Sequence, residues 1–173
     1  MRLLREVELP VVVDADALNI LSREKVFKRR QPCVFTPHPA EAARLLDIKT
    51  AEVESARQKS VELLARKLGG VVLLKGCKTL ISEGERTAVN LTGGPGLAKG
   101  GTGDVLTGLI AGLLAQMLAS GRATGDLPFK AAVLGAWLHG VAGERAEKEM
   151  TPWAVTSSDL IGQLPQAFKT LCG

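Results

Sequence analysis

The sequence predicts an α/β fold with a largely parallel central sheet flanked by helices, and three observations carry that prediction. Short apolar β-like runs alternate with segments of helical period, as in crossover-connected parallel sheets. The 173 residues are 46% hydrophobic but only 3% aromatic, so the core must be built from Leu, Val, Ile and Ala. The 19 glycines are clustered rather than spread, which suits backbone that approaches a ligand closely. Residues 1–173 are expected to form one domain.

Val11, Val12 and Val13 form the first buried strand, ending at Asp14, and a helix follows over Leu18 to Arg30, with a break near Ser22. Cys33 to Thr36 make the second strand, stopped by Pro37 and Pro39. Helical segments run from Pro39 to Leu46 and, with Thr50 as N-cap, through Lys67, ending at Gly69 and Gly70. Val71 to Lys75 is the third strand, and Thr79 to Ser82 pairs with Thr87 to Asn90 as a hairpin. A glycine loop over Leu91 to Gly103 feeds an apolar helix, Asp104 to Ser120. Pro128 opens another helix with a stripe of Leu134, Trp137, Leu138, Val141 and Ala142; shorter helices begin near Ser158 and after Pro165.

Composition excludes several classes. The formal net charge of +4 suits anionic small molecules. A nucleic-acid partner is not expected, because stacking aromatics and a concentrated basic face are both lacking. Arg23, Lys25, Lys28, Arg29 and Arg30, interleaved with Val26 and Phe27, read as a solvated helix face. No membrane association is expected either. The run Leu9 to Val13, after the basic Met1 to Arg5, is too short for a secretory core, and Val105 to Ala119 reads as a buried core helix. Cys33, Cys77 and Cys172 lack metal-ligand spacing and are odd in number, which predicts free thiols in a reducing cytoplasm.

The strongest chemical signal is Gly93-Gly94-Pro95-Gly96-Leu97-Ala98-Lys99-Gly100-Gly101-Thr102-Gly103-Asp104, with six glycines in twelve residues. Glycines at a helix entry let N–H groups converge, and the helix dipole adds partial positive charge, together making an anion hole for a phosphoryl group. A carboxylate directly after the hole is placed to take a proton from a hydroxyl being phosphorylated. The spacing fits neither a Walker A loop nor a dinucleotide-binding loop. His38 and Glu41 lie just beyond a strand's C-terminal end, where open α/β sheets bind ligands. His38 either makes a rigid Pro-His-Pro turn or contacts ligand, and Glu41 is equally readable as a first-turn helix carboxylate. Asp14, Asp16 and Asn19 either face the site or cap the next helix. Lys75 neutralises phosphate or ends its strand, and His139 reads as a packed helix histidine.

The loop, with Val12-Val13-Asp14-Ala15-Asp16-Ala17-Leu18-Asn19, Thr36-Pro37-His38-Pro39-Ala40-Glu41 and Leu74-Lys75-Gly76-Cys77-Lys78-Thr79, resembles the ADP-dependent NAD(P)H-hydrate dehydratase family of the ribokinase-like superfamily. The resemblance continues through Leu138-His139-Gly140-Val141-Ala142-Gly143 to Ser158-Asp159-Leu160 and spans nearly all of the chain. It implies repair of hydrated NADH or NADPH: the added ring hydroxyl is phosphorylated from ADP and phosphate is eliminated, returning intact cofactor, AMP and phosphate.

In that family's terms, Asp104 is the base, with substrate contact, and Gly101, Thr102 and Gly103 form the anion hole. Lys75, Gly76, Cys77, Lys78 and Thr79 bind the nucleotide with Gly103. His38 contacts the hydrated nicotinamide, and Glu41 stands at the position linked indirectly to Mg²⁺. A homo-oligomer is implied as well. Three positions depart from the family pattern: Ala40 replaces a glycine, Gly94 an asparagine and Lys99 a threonine. The resemblance also implies an upstream segment with further strands and a Gly-rich substrate loop, so the chain reads as an N-terminally truncated, C-terminal part of such a domain. Two alternatives remain open at this point: a hydroxyl kinase resembling hydroxyethylthiazole kinase, and a catalytically silent nucleotide-binding fragment or subunit.

Overall fold

The computed structural model describes residues 4, 6–24, 27, 29, 31–121 and 125–172. Its centre is a five-stranded sheet in chain order: β1 (Val11–Val13), β2 (Cys33–Phe35), β3 (Val71–Leu74), β4 (Leu80–Ser82) and β5 (Thr87–Val89). β1, β2 and β3 run parallel, with Val11 opposite Cys33, Val13 opposite Phe35 and Phe35 opposite Val72. β4 and β5 are antiparallel. The sheet is therefore mixed rather than largely parallel, because the β3–β4–β5 turns are too short for the crossover that a parallel neighbour requires.

Side-chain alternation divides the core into two layers. Val34, Leu73 and Ile81 face a cluster with Ile110, Leu113, Ala132 and Leu138 from α5 (Thr102–Ala119) and α6 (Leu127–Ala154). Val13, Phe35, Val72 and Leu74 face the other way. There they meet α1 (Asp16–Leu21), α2 (Pro39–Leu46), α3 (Thr50–Ser55) and α4 (Arg57–Leu68) through Leu18, Ala42, Val53 and Leu64. Strands buried on both faces need apolar residues at every position, which is why Val-Val-Leu-Leu in β3 shows no polar alternation. The last helix, α7 (Ser157–Cys172), packs against α6.

Several boundaries differ from the sequence expectations. The helix expected over Leu18 to Arg30 is α1, which ends at Leu21. The Ser22 hydroxyl donates to the Asn19 carbonyl, and the N–H groups of Arg23 and Glu24 take tight i−3 acceptors. Lys25, Val26, Lys28 and Arg30 lie outside the described residues, and so do Met1 to Leu3 and Arg5. The span Thr50 to Lys67 is two helices, divided where Ala56 leaves helical geometry at φ −137°. Its cap is Lys49, not Thr50, because the Glu52 carboxylate accepts the Lys49 N–H at 2.8 Å. Pro165 does not begin a separate helix. It lies inside α7, where the carbonyl it deprives of a partner belongs to Ile161, a residue 54% exposed and open to water.

α5 is long and apolar enough to cross a membrane by length and composition alone. Leu106, Ile110, Leu113 and Leu114 bury one side of it in the core, while Gly108, Ala111, Gly112 and Ala115 remain exposed. The expected buried helix is thus buried on one face only.

Candidate active site

The three parallel strands end at one rim of the sheet, and the residue after each is polar: Asp14 after β1, Thr36 after β2 and Lys75 after β3. α5 begins over that rim. Gly101 turns the chain into it in a left-handed conformation, φ 86°, which only glycine adopts at little cost. A methyl group placed on Gly103 would sit 3.6 Å from Lys75 Nζ and 3.8 Å from Asp14 Oδ2. The orphan N–H groups of the first helical turn and the lysine cation therefore converge on the same space.

Asp14 Oδ1 accepts from Lys75 Nζ at 2.8 Å, and Oδ2 accepts from the Thr107 hydroxyl at 2.8 Å. Burial by itself would raise the Asp14 pKa; the Lys75 ammonium, with the hydroxyls of Thr107 and Thr36, outweighs it and holds the carboxyl below its usual value. Glu41 Oε2 lies 3.9 Å from the same ammonium. One cation thus sits between two carboxylates that are 10% and 6% exposed.

Glu41 and His38 also build the start of α2. The Glu41 carboxylate accepts the His38 N–H at 2.8 Å, and His38 Nδ1 accepts from the N–H groups of Ala40 and Glu41 at 3.1 and 3.4 Å. The turn reading of His38 and the first-turn reading of Glu41 therefore hold. Each residue caps the helix, while the His38 ring remains 47% exposed and Glu41 reaches the Lys75 cation. Asp14 faces the site without capping α1. Asn19 turns away to accept from Arg44 at 2.7 Å, and Asp16 lies exposed in the first turn of α1.

The segment Lys75 to Thr79 is an exposed turn with Gly76 at φ 138° and Lys78 at φ 54°, closed by the Thr79 hydroxyl on the Gly76 carbonyl. The Lys75 N–H donates to the Pro37 carbonyl, and Arg57 from α4 reaches the carbonyls of Leu74 and Lys75 at 3.4 Å. Asp104 is exposed in the first turn of α5, and among the described residues its carboxylate has no hydrogen-bond or ion-pair partner.

Sequence reasoning missed Thr107, Arg57, Glu144 and Glu147. Thr107 carries a faint signal, a hydroxyl in an otherwise apolar run one helical turn after Gly103. His139 is packed as expected, 8% exposed, but its Nε2 donates to the Thr102 carbonyl at 2.9 Å and so steadies the start of α5. That bond assigns Nε2–H as the tautomer. Burial is the main reason the His139 pKa falls below its ordinary 6.5, with the Lys75 charge adding to it and the Thr102 carbonyl opposing. A depressed folded value contributes stability that is complete above pH 6.5 and lost as pH falls through the folded pKa. The thermal midpoint should therefore decline below that pH, and His139→Gln should flatten the decline; an unchanged slope in the variant would count against it.

A mixed sheet between two helical layers, with a glycine-fed helix over the ends of its parallel strands, is a layered α/β fold of the kind that ribokinase-like proteins share. A solved chain of Enterococcus faecalis described as a ribokinase-like superfamily protein superposes with a TM-score of 0.73, at 31% identity, over 92% of this chain and 52% of that one. The model of the NAD(P)H-hydrate dehydratase family matches residues 1–166, and the chain belongs to that family. The ADP-dependent (S)-NAD(P)H-hydrate dehydratase of Neisseria meningitidis serogroup B is 44% identical over 167 residues, covering 94% of this chain and 53% of that protein. The solved ADP/ATP-dependent NAD(P)H-hydrate dehydratase of Bacillus subtilis, co-crystallised with ATP/Mg²⁺ and soaked with CoA, has a TM-score of 0.77 at 34% identity. That match covers 93% of this chain and 56% of that one. The chain spans about half of these relatives, and 31% of the bifunctional NAD(P)H-hydrate repair enzyme of Moorella thermoacetica.

Proposed function

We propose that this chain carries the ADP-dependent dehydration of hydrated NADH and NADPH. One observation supports the reading above the others: Lys75 and Asp14 meet Gly103 at the start of α5, immediately beside the unpartnered carboxylate of Asp104. In this reading ADP lies along Lys75 to Thr79, and the ring of hydrated nicotinamide approaches the exposed face of His38. Asp104 accepts the proton of the added hydroxyl as its oxygen bonds to the β-phosphorus and the bond to AMP breaks. The N–H groups of Gly101, Thr102 and Gly103 hold the transferring phosphoryl oxygens, and Lys75 offsets their charge. Phosphate then leaves with the electron pair of its bond to the ring carbon, and the neighbouring ring carbon releases a proton to solvent, which restores the ring double bond.

Mg²⁺ fits this donor set as a phosphate-borne ion. Among the described residues no group of three or more His, Cys, Asp or Glu converges as a cage, and Mg²⁺ commonly takes one or two carboxylates, phosphates and water. Glu41 would hold it through water, and the ion would supply charge neutralisation on the phosphates. The free thiols of Cys33 and Cys77 support a cytoplasmic setting, and assembly as a homo-oligomer is part of the same reading.

The test is to incubate the chain with hydrated NADH and Mg²⁺ and to follow reduced-nicotinamide absorbance. Recovery is expected only when ADP is added, with AMP and phosphate formed in equal amounts. Calorimetric binding of ADP and Mg²⁺ without recovery of absorbance would overturn the dehydratase assignment.

A further inference from the structure

We propose that Glu147, which the family resemblance did not single out, is a positioning residue for the anion hole, and that Gly94 and Gly96 lack side chains in order to admit its carboxylate. The inference rests on the dehydratase reading for its catalytic consequence and on geometry for its existence. Gly94 has φ −132° and ψ −178°, extended backbone that any residue adopts, so the main chain does not require glycine there. What requires it is space. A Cβ on Gly94 would lie 2.3 and 2.4 Å from the two Glu147 carboxylate oxygens, and one on Gly96 would lie 2.8 Å from Oε1.

The carboxylate uses that space. Glu147 Oε1 accepts the Gly96 N–H at 2.6 Å, and one helical turn earlier Glu144 Oε1 accepts the Gly93 N–H at 2.8 Å. Two carboxylates on one face of α6 thus take N–H groups from the first half of the glycine loop. The hole is thereby confined to the second half. The same clamp reaches the hole through the tight turn Pro95–Leu97: the Leu97 and Lys99 carbonyls accept the Thr102 hydroxyl at 2.7 and 2.9 Å. Thr102 opens α5, and His139 holds its carbonyl from the same helix, α6. Glu147 therefore acts on the phosphoryl site through Gly96, Leu97 and Thr102, without touching substrate.

A carboxylate at the end of a flexible side chain can swing aside, so Gly94→Ala should expel Glu147 rather than unfold the loop. That makes the two positions non-additive. In the dehydratase assay, Glu147→Ala and Gly94→Ala should each lower kcat about tenfold, with KM for ADP changing less than about twofold, and the double variant should be no slower than either single one. Glu147→Gln keeps an acceptor oxygen and should restore most of kcat. An additive double variant, a Gly94→Ala enzyme at the wild-type rate, or a Glu147→Gln enzyme as slow as Glu147→Ala would overturn the proposal. Amide hydrogen exchange separates its failure from that of the dehydratase reading. Without any turnover in the parent chain, Gly96 N–H protection that is lost in both single variants still upholds the clamp, and an unprotected Gly96 in the parent chain overturns it.

Discussion

Asp104→Asn is expected to lower turnover by about 10²- to 10⁴-fold, the range for removal of a positioned general base, while ADP affinity stays close to that of the parent chain. Asparagine has the same shape and still suits the first turn of a helix, but it cannot take up a proton at neutral pH. The fold should notice little. Asp104 is exposed and, among the described residues, has no partner to lose. Its favourable interaction with the helix N-terminus is worth about 0.3–1 kcal/mol. Steady-state kinetics paired with a melting curve separates the effects, and full activity in the variant would remove Asp104 from the reaction.

Lys75→Met should be damaging in a different way. The Nζ atom lies 2.8 Å from Asp14 and 3.9 Å from Glu41, and both carboxylates are nearly buried. Removing the cation leaves two like charges facing each other in a poorly solvated rim. Breaking such a pair from one side costs about 3–5 kcal/mol when burial is complete; because Lys75 itself is 22% exposed, the lower end, about 3 kcal/mol, is expected. For a chain of this size that lowers the thermal midpoint by about 6–12 °C. ADP affinity should fall as well, because the phosphates lose a facing charge. Lys75→Met with an additional Asp14→Asn should regain part of the stability and none of the ADP affinity. Recovery of both would mean that Lys75 serves only the carboxylates.

Much of this site was legible in the residue order because its parts lie next to strand ends or helix starts. Asp14, His38, Glu41 and Lys75 each follow a buried apolar run within a few positions, and Gly101 to Asp104 open a helix. Of the alternatives left open at His38 and Glu41, the structure shows the helix-start one: a capping box uses one ring nitrogen and one carboxylate oxygen and leaves the rest of each group to face the rim. Thr107, Glu144 and Glu147 were not legible in the same way. Their partners are 93, 51 and 51 residues away, and no local pattern announces such a pairing. The misplaced helix ends have a similar origin. Ala56 is a good helix former at a position where the chain bends, and Pro165 is a helix breaker tolerated where its lost bond faces water.

By itself the sequence determined the layered α/β fold, through doubly buried strands and helical stripes, and it marked the candidate site by a glycine-rich helix entry that ends in a carboxylate. Only the tertiary structure decided that Asp14 and Lys75 meet across 61 residues, that the sheet is mixed, and that Glu144 and Glu147 accept N–H groups of the glycine loop. The physical reason is the range of the forces. Backbone preference and apolar periodicity act over a few residues and are written locally. A salt bridge, or a Cβ too close to a carboxylate, exists only after the strands and helices have packed.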